Sequence, residues 1–184
     1  MPNVPEKSKR SDVAPRSGAV VTSPRLCPIY IAQQGKREAM PDNPRGAGLL
    51  FYDKHKRRVL VYRRDNRPTI PFPDQIDILG GHTEEGEIPE QTAVREIAEE
   101  LEDLRSGGPF VLAGHRLFTI YTDARGVTNY VFCKAADFDL ADVRLKEGQE
   151  LIWLTEEEAR CTPVAFGYNH ILAEFFHALR TGSV

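Results

Sequence analysis

Cysteine is scarce in this chain, with three among 184 residues, at positions 27, 133 and 161. So odd and scattered a set fits neither a disulfide framework nor a CxxC metal site, and Cys27, Cys133 and Cys161 read as ordinary buried thiols. Long apolar runs are missing too. No stretch approaches the roughly 18 residues of a membrane span, and the N-terminus lacks the apolar core of a signal peptide, so the expected location is the cytoplasm, with no membrane partner. Histidine is thin as well: His170 and His177 stand seven apart on one expected helix face, but without further ligands they make no zinc site. No internal repeat is visible.

What is present is a composition of 41% hydrophobic and 28% charged residues, which suits one globular domain with a real core. Charge divides unevenly. Residues 1–45 carry eight Lys/Arg against four Asp/Glu, a balance of +4, which leaves −7 for residues 46–184 out of the overall −3. Residues 1–25 are rich in Pro, Ser and basic side chains without hydrophobic periodicity, so burial cannot offset the entropy of ordering them. They are expected to form a flexible basic tail, with nucleic acid the weaker reading. Residues 26–45 form an extension in which "CPIYIAQQ" could be a short strand docking on the domain, which itself spans 46–184.

From Gly46 onward, strand and helix signals alternate. Leu49 to Tyr52 and Val59 to Tyr62 read as a hairpin around a charged turn at Asp53 to Arg58. A proline-marked loop leads to "IDIL", a short strand expected to stop at Gly80 and Gly81. Strands follow in "FVLAGHRLFTIYT" and "NYVFCKAADF", joined at Asp123 to Gly126, then in "LIWL". Thr155 to Glu158 fits a capping box, and a last helix from about His170 to Arg180 is stopped by Gly182. Such interleaving suggests a mixed sheet with helices on its faces.

The segment Gly80 to Leu104, "GGHTEEGEIPEQTAVREIAEELEDL", is crowded with carboxylates and holds one arginine. Pro89 suits the first turn of a helix. From there Ala93, Val94, Ile97, Leu101 and Leu104 recur at helical spacing and form one packing sector, while Glu96, Glu99, Glu100 and Asp103 form a neighbouring acidic ridge. Like charges four apart destabilise a helix by a few tenths of a kcal/mol per pair, and only Arg95 offers local relief. A divalent cation would turn this repulsion into coordination, because hard Mg²⁺ prefers oxygen ligands and keeps waters free to meet phosphate. A solvated acidic face is the competing reading.

The spacing resembles a known family. Gly81, five residues, Glu87, seven residues, then Arg95-Glu96-Ile97-Ala98-Glu99-Glu100 is similar to the Nudix hydrolase signature, which departs only where Glu102 and Asp103 replace a glycine and an aliphatic residue; Leu104 is expected to supply the missing contact. The resemblance implies a Nudix-type α/β/α sandwich with a mixed central sheet that hydrolyses nucleoside diphosphates linked to another moiety. It implies further that Glu96, Glu99 and Glu100, helped by the Gly81 carbonyl, hold Mg²⁺ or Mn²⁺, that Glu87 and Arg95 are mainly structural, and that Glu99 or Glu100 could act as base. It leaves a homodimer open.

Outside the box the reading divides. Glu147 and Glu150 precede the "LIWL" strand in a run similar to the corresponding MutT-like segment, and Glu147 is the candidate base there; a polar loop, with Trp153 in the core, is the alternative. Alternation should aim one of Arg63 and Arg64 at the site, where a guanidinium can grip phosphate. Phe166, Tyr168 and Asn169 could stack on and hydrogen-bond a base, or serve as core and, for Asn169, as helix N-cap. His82 could approach a phosphate. The expected substrate is a nucleoside triphosphate, an oxidised one included, or a nucleotide sugar. A nucleotide-sensing module without hydrolysis and an RNA 5′-end pyrophosphohydrolase are the alternatives, the last drawing slight support from the basic tail.

Overall fold

The computed structural model describes residues 45–184; the tail expected at 1–25 and the strand expected near Cys27 lie outside the described residues. β1 (Arg45–Asp53) and β2 (Arg58–Arg63) form the expected hairpin, with Tyr52 opposite Val59 and Asp53 opposite Arg58. The Asp53 carboxylate closes the turn by accepting the His55 and Lys56 amides at 3.0 Å each, the usual service of an aspartate in a turn.

β1 is buried along nearly its whole length, because it is central and covered on both faces, where apolar residues run without polar interruption. Its alternation splits the core in two. Ala47, Leu49 and Phe51 join the cluster containing Ala93 and Ile97, whereas Leu50 and Tyr52 join Ile171, Leu172, Phe175 and Phe176. The first helix, α1 (Pro89–Glu100), thus covers one face, and the last two, α2 (Glu156–Cys161) and α3 (Asn169–Thr181), cover the other. This is an α/β/α sandwich.

Four further strands complete the sheet with β1 and β2: β3 (Ile76–Asp77), β4 (Leu79–His82), β7 (Arg116–Thr122) and β8 (Thr128–Ala135), plus the late strand β10 (Glu150–Thr155). The order is β10-β2-β1-β8-β7, mixed because β1 runs parallel to β8 and antiparallel to β2. β1 and β2 pair at only one end. Beyond it they part, β3 pairing with β2 and β4 with β1, and this wedge opens the site. Between the sheet strands lie β5 (Leu101–Asp103), β6 (Gly108–Pro109) and β9 (Val143–Leu145), a separate three-stranded sheet.

Several local expectations change. The "IDIL" strand does not stop at the glycines: β4 carries Gly80 and Gly81 inside it, opposite Gly48 and Ala47. The box helix ends at Glu100, since Leu101–Asp103 pair with β9, so the helical sector expected through Leu104 is cut short. Leu104 is 46% exposed and Val94 38%, and neither supplies the packing expected of it. Strand β7 begins at Arg116 rather than Phe110. Cys133 is buried but Cys161 is exposed. The Thr155 capping box is found, Thr155 N donating to Glu158 Oε2 at 2.8 Å, and α3 ends at Gly182 in the left-handed region with φ 74°. No helix among the described residues is long and apolar enough to cross a membrane.

Candidate active site

The wedge between β1 and β2 holds a cavity of about 480 Å³, within the range of small-molecule sites. Two groups of side chains line it. One is acidic: Glu96, Glu100 and Glu147, beside the Gly80–Gly81 backbone. The other combines Tyr62, Arg64, Arg125, Asn129, Phe166 and Tyr168, with Asp77 between the groups.

The two glycines let helix α1 approach the sheet this closely. A Cβ on Gly81 would lie 2.5 Å from Glu96 Cδ, so any other residue there would force that carboxylate to move from its place over the strand. Gly80 has φ +131° and its Cβ would sit 2.7 Å from Gly48 Cα, a position any other residue would strain. Gly80 N donates to Glu100 Oε2 at 2.8 Å, fixing the carboxylate at the foot of the helix.

Electrostatics divide the box residues further. Glu100 is 6% exposed; burial, followed by repulsion from Glu96, Asp77 and Glu147, pushes its carboxyl well above the usual range, against the Gly80 hydrogen bond. Burial also raises Glu96, while Arg95 opposes the rise. In contrast, the side-chain hydrogen bond from Arg95 holds Glu87 well below the usual range. Arg95 Nε donates to Glu87 Oε1 at 2.8 Å and Nη2 to the His82 carbonyl at 2.9 Å, so one guanidinium ties loop to helix. Its Nη1 reaches Glu96 at 2.9 Å and Glu99 at 3.2 Å.

Among the described residues no three His, Cys, Asp or Glu side chains already converge as a metal cage. Glu99 is 60% exposed and does not line the cavity. The donor set nevertheless fits a hard divalent cation: Glu100 is buried and Glu96 half-buried, the two repel one another, and Glu96 lies against a strand whose missing Cβ leaves the space open. Glu96, Glu100 and Gly81 line the cavity, whereas Glu99 is held outside it by Arg95.

Arg64 and Arg63 separate as strand alternation requires. Arg64 lines the cavity, its Nη1 donating to Asp77 Oδ2 at 2.7 Å. Arg63 turns away to Glu150 at 3.0 Å, so it is not a cavity residue. Phe166 does line the cavity, but guanidinium groups already occupy its ring faces, Arg125 at 4.5 Å and Arg64 at 5.3 Å from the centroid. Asn169 does not line it. Its Oδ1 accepts the Val164 amide at 3.0 Å and its Nδ2 donates to the Thr162 carbonyl at 2.7 Å, joining α2 to α3; nor is it the N-cap, which is Tyr168. Both expectations for Asn169 are thus corrected: it is neither at the cavity to read a base edge nor the N-cap of α3.

Tyr62, Asp77, Arg125 and Asn129 were not among the residues expected at the site; they come from strands and a hairpin turn far apart in the chain. Asp77 is 4% exposed; burial raises its carboxyl to about 6 despite Arg64. Asn129, 5% exposed, accepts the Tyr168 hydroxyl at 3.3 Å. The signal that could have found Asp77 is a lone charge in an otherwise apolar strand beside the box.

The fold is shared with solved structures. A MutT structure from work on Aliivibrio salmonicida and Vibrio cholerae superposes with a TM-score of 0.57 at 15% identity, covering 72% of this chain and 98% of that one. The NUDIX domain of Shewanella oneidensis NrtR, complexed with ADP ribose, gives 0.56 at 18% identity, covering 84% and 99%. A NUDIX hydrolase from Nitrosomonas europaea gives 0.55 at 17% identity, covering 82% and 79%. No curated protein matches the chain. The sequence itself matches the family described as NUDIX domain over residues 42–175, well over half its length and including the whole cavity described above. Carrying that match together with a glycine strand fitted under a glutamate-bearing helix, the chain belongs to the Nudix hydrolases.

Proposed function

We propose that this Nudix hydrolase is a metal-dependent pyrophosphohydrolase that cleaves a nucleoside diphosphate linked to another moiety, by water attack on phosphorus. A nucleoside triphosphate, an oxidised one included, or a nucleotide sugar is the substrate class. One observation carries the reading: two mutually repelling carboxylates, the half-buried Glu96 and the buried Glu100, line a cavity that Arg64 and Arg125 also line. A polyanion would meet cations from both groups there once the acidic one is loaded.

A divalent cation, Mg²⁺ or Mn²⁺, would supply charge neutralisation of the pyrophosphate and acidification of water. Glu96, Glu100, the Gly81 carbonyl and, after leaving Arg95, Glu99 would hold it. The chain's residues do the rest. Glu147 lines the cavity on the loop facing Glu100, and no hydrogen bond engages its carboxylate among the described residues; it accepts the proton of the attacking water. Glu100 suits that role less, since Gly80 N holds it. Arg64, braced by Asp77, grips a phosphate through its remaining N–H groups. Arg125 leaves the face of Phe166 to admit a base, which then stacks there.

The test is release of phosphate or pyrophosphate from a panel of triphosphates, nucleotide sugars, dinucleoside polyphosphates and ADP-ribose, with Mg²⁺, with Mn²⁺ and with chelator. The ADP ribose held by the Shewanella domain is the reason to include that ligand. Metal-dependent turnover of one member is expected; binding without turnover across the panel would replace hydrolysis by nucleotide sensing.

A further inference from the structure

Tyr62 is a buried phenol on the cavity wall with a proton to give. It is 6% exposed, and β2 alternation puts it on the same face as Arg64 and opposite Asp77 across the β2–β3 pair. Its hydroxyl accepts from Arg64 Nη1 at 3.2 Å, and the same Nη1 donates to Asp77 Oδ2 at 2.7 Å. Arg64 is fixed at its other end as well, Nε donating to the Pro71 carbonyl at 3.1 Å. A phenol has one proton to donate. With the oxygen's lone pair turned to a cation, that proton points away from Arg64, and no hydrogen bond takes it up among the described residues. Burial and the charges of Asp77, Glu100 and Glu147 hold the phenol in its neutral, donating form.

The surroundings say what the acceptor is. Tyr62 lines the cavity together with Glu100 and Glu147, whose charges act on it, and its hydroxyl accepts from Arg64, so the phenol borders both the acidic and the basic groups of the site. A group that accepts from a neutral donor there, beside a cation, is an oxygen carrying negative charge. The ring itself is anchored: a Cβ on Gly148, whose φ is +104°, would come 2.7 Å from Tyr62 Cδ2, so the ring packs on the backbone next to Glu147. Gln149 binds the same stretch, its amide donating to the Arg63 carbonyl at 2.8 Å.

We propose that the Tyr62 hydroxyl donates a hydrogen bond to a phosphate oxygen of the bound nucleotide, with Arg64 and Asp77 as positioning residues that aim it. This rests on the hydrolytic reading above and adds to it a neutral donor that strengthens as charge builds on that oxygen.

Tyr62→Phe removes one oxygen and keeps the ring on Gly148, so the fold and melting temperature stay as they are. On the nucleotide that wild type turns over best, kcat falls roughly a hundredfold or more, as for loss of one donor to a developing oxyanion, while KM rises by no more than about tenfold, the share of the bond already made in the ground state. Asp77→Asn lowers kcat too, and adding Tyr62→Phe to it costs less than about threefold more, because the aim is already lost. Wild-type kcat in Tyr62→Phe overturns the proposal, and additive losses in the double variant overturn the aiming role. If wild type hydrolyses nothing in the panel, the hydrolytic reading fails and the contact is judged apart from it, by titrating an α,β-methylene nucleotide in MnCl₂. About tenfold weaker binding by Tyr62→Phe then supports the contact; equal affinity, or none in either form, overturns it.

Discussion

Helices α1 and α3 flank the same sheet and are held by different forces. α3 buries Ile171, Leu172, Phe175, Phe176 and Leu179 in one stripe, each worth about 1.5–3 kcal/mol of apolar transfer. α1 buries little that is large and apolar beyond Ile97, and it also buries Thr92 and Glu100, which gain nothing from leaving water. Polar bonds hold it instead: Arg95 to Glu87 and His82, Glu100 to Gly80. A helix that keeps costly groups against a cavity is shaped by what the cavity binds, whereas α3 is shaped chiefly by packing, with Asn169 and Arg180 tying its ends to α2.

That contrast predicts that damage to α1 and damage to α3 separate cleanly. The largest effect is expected from Glu100→Gln, with turnover down about a thousandfold from the loss of one preorganised charge. Its melting temperature should equal or exceed wild type, since an uncomfortable buried carboxylate is removed and the amide oxygen can still accept from Gly80. A marked fall in melting temperature would make Glu100 structural and erase the contrast. Phe175→Ala should do the reverse, costing about 3–5 kcal/mol in denaturant unfolding while folded protein keeps wild-type KM; a changed KM would tie α3 to the site.

Gly81→Ala sharpens the point within α1. Its Cβ would press on the Glu96 carboxylate, and turnover should drop about a hundredfold, the cost of a misplacement near 1 Å. Unchanged turnover would mean that Glu96 is free to move aside. Asp77 gives a pH signature. Its folded pKa of about 6 lies above its ordinary 3.8, so between those values the folded state holds a proton that the unfolded chain has released. Stability from this group is therefore present below pH 3.8 and lost as pH rises through 6. Asp77→Asn should flatten that part of the stability–pH curve, and an unaltered slope in chemical denaturation would refute it. The smallest effect belongs to the exposed pair of Arg144 and Glu102 across β5 and β9: Arg144→Ala should cost at most about 0.5 kcal/mol, and a larger loss would show that the small sheet braces the end of α1.

Legibility follows the range of the interactions. Glu96, Glu99 and Glu100 share a helix with Arg95, so spacing alone puts them together, and the Thr155 cap and the Gly182 stop are equally local. Errors fall where distant strands compete. The helix yields to β9 pairing at Leu101, Glu99 turns outward to Arg95, and Asn169 is drawn into backbone bonds between α2 and α3. Phe166 was visible as an aromatic, but not its cover of two guanidiniums.

What the chain determines by itself is therefore the acidic helix and the family to which its spacing belongs, because hydrogen bonds and helical periodicity over a few residues set them. The parting of β1 from β2, the meeting of Asp77 with Arg64 and Tyr62, and the choice of Arg64 over Arg63 depend on strand register, which is settled only when segments far apart in sequence bury their apolar faces together. Tertiary packing decided those, and with them the shape of the space in which phosphate is expected to lie.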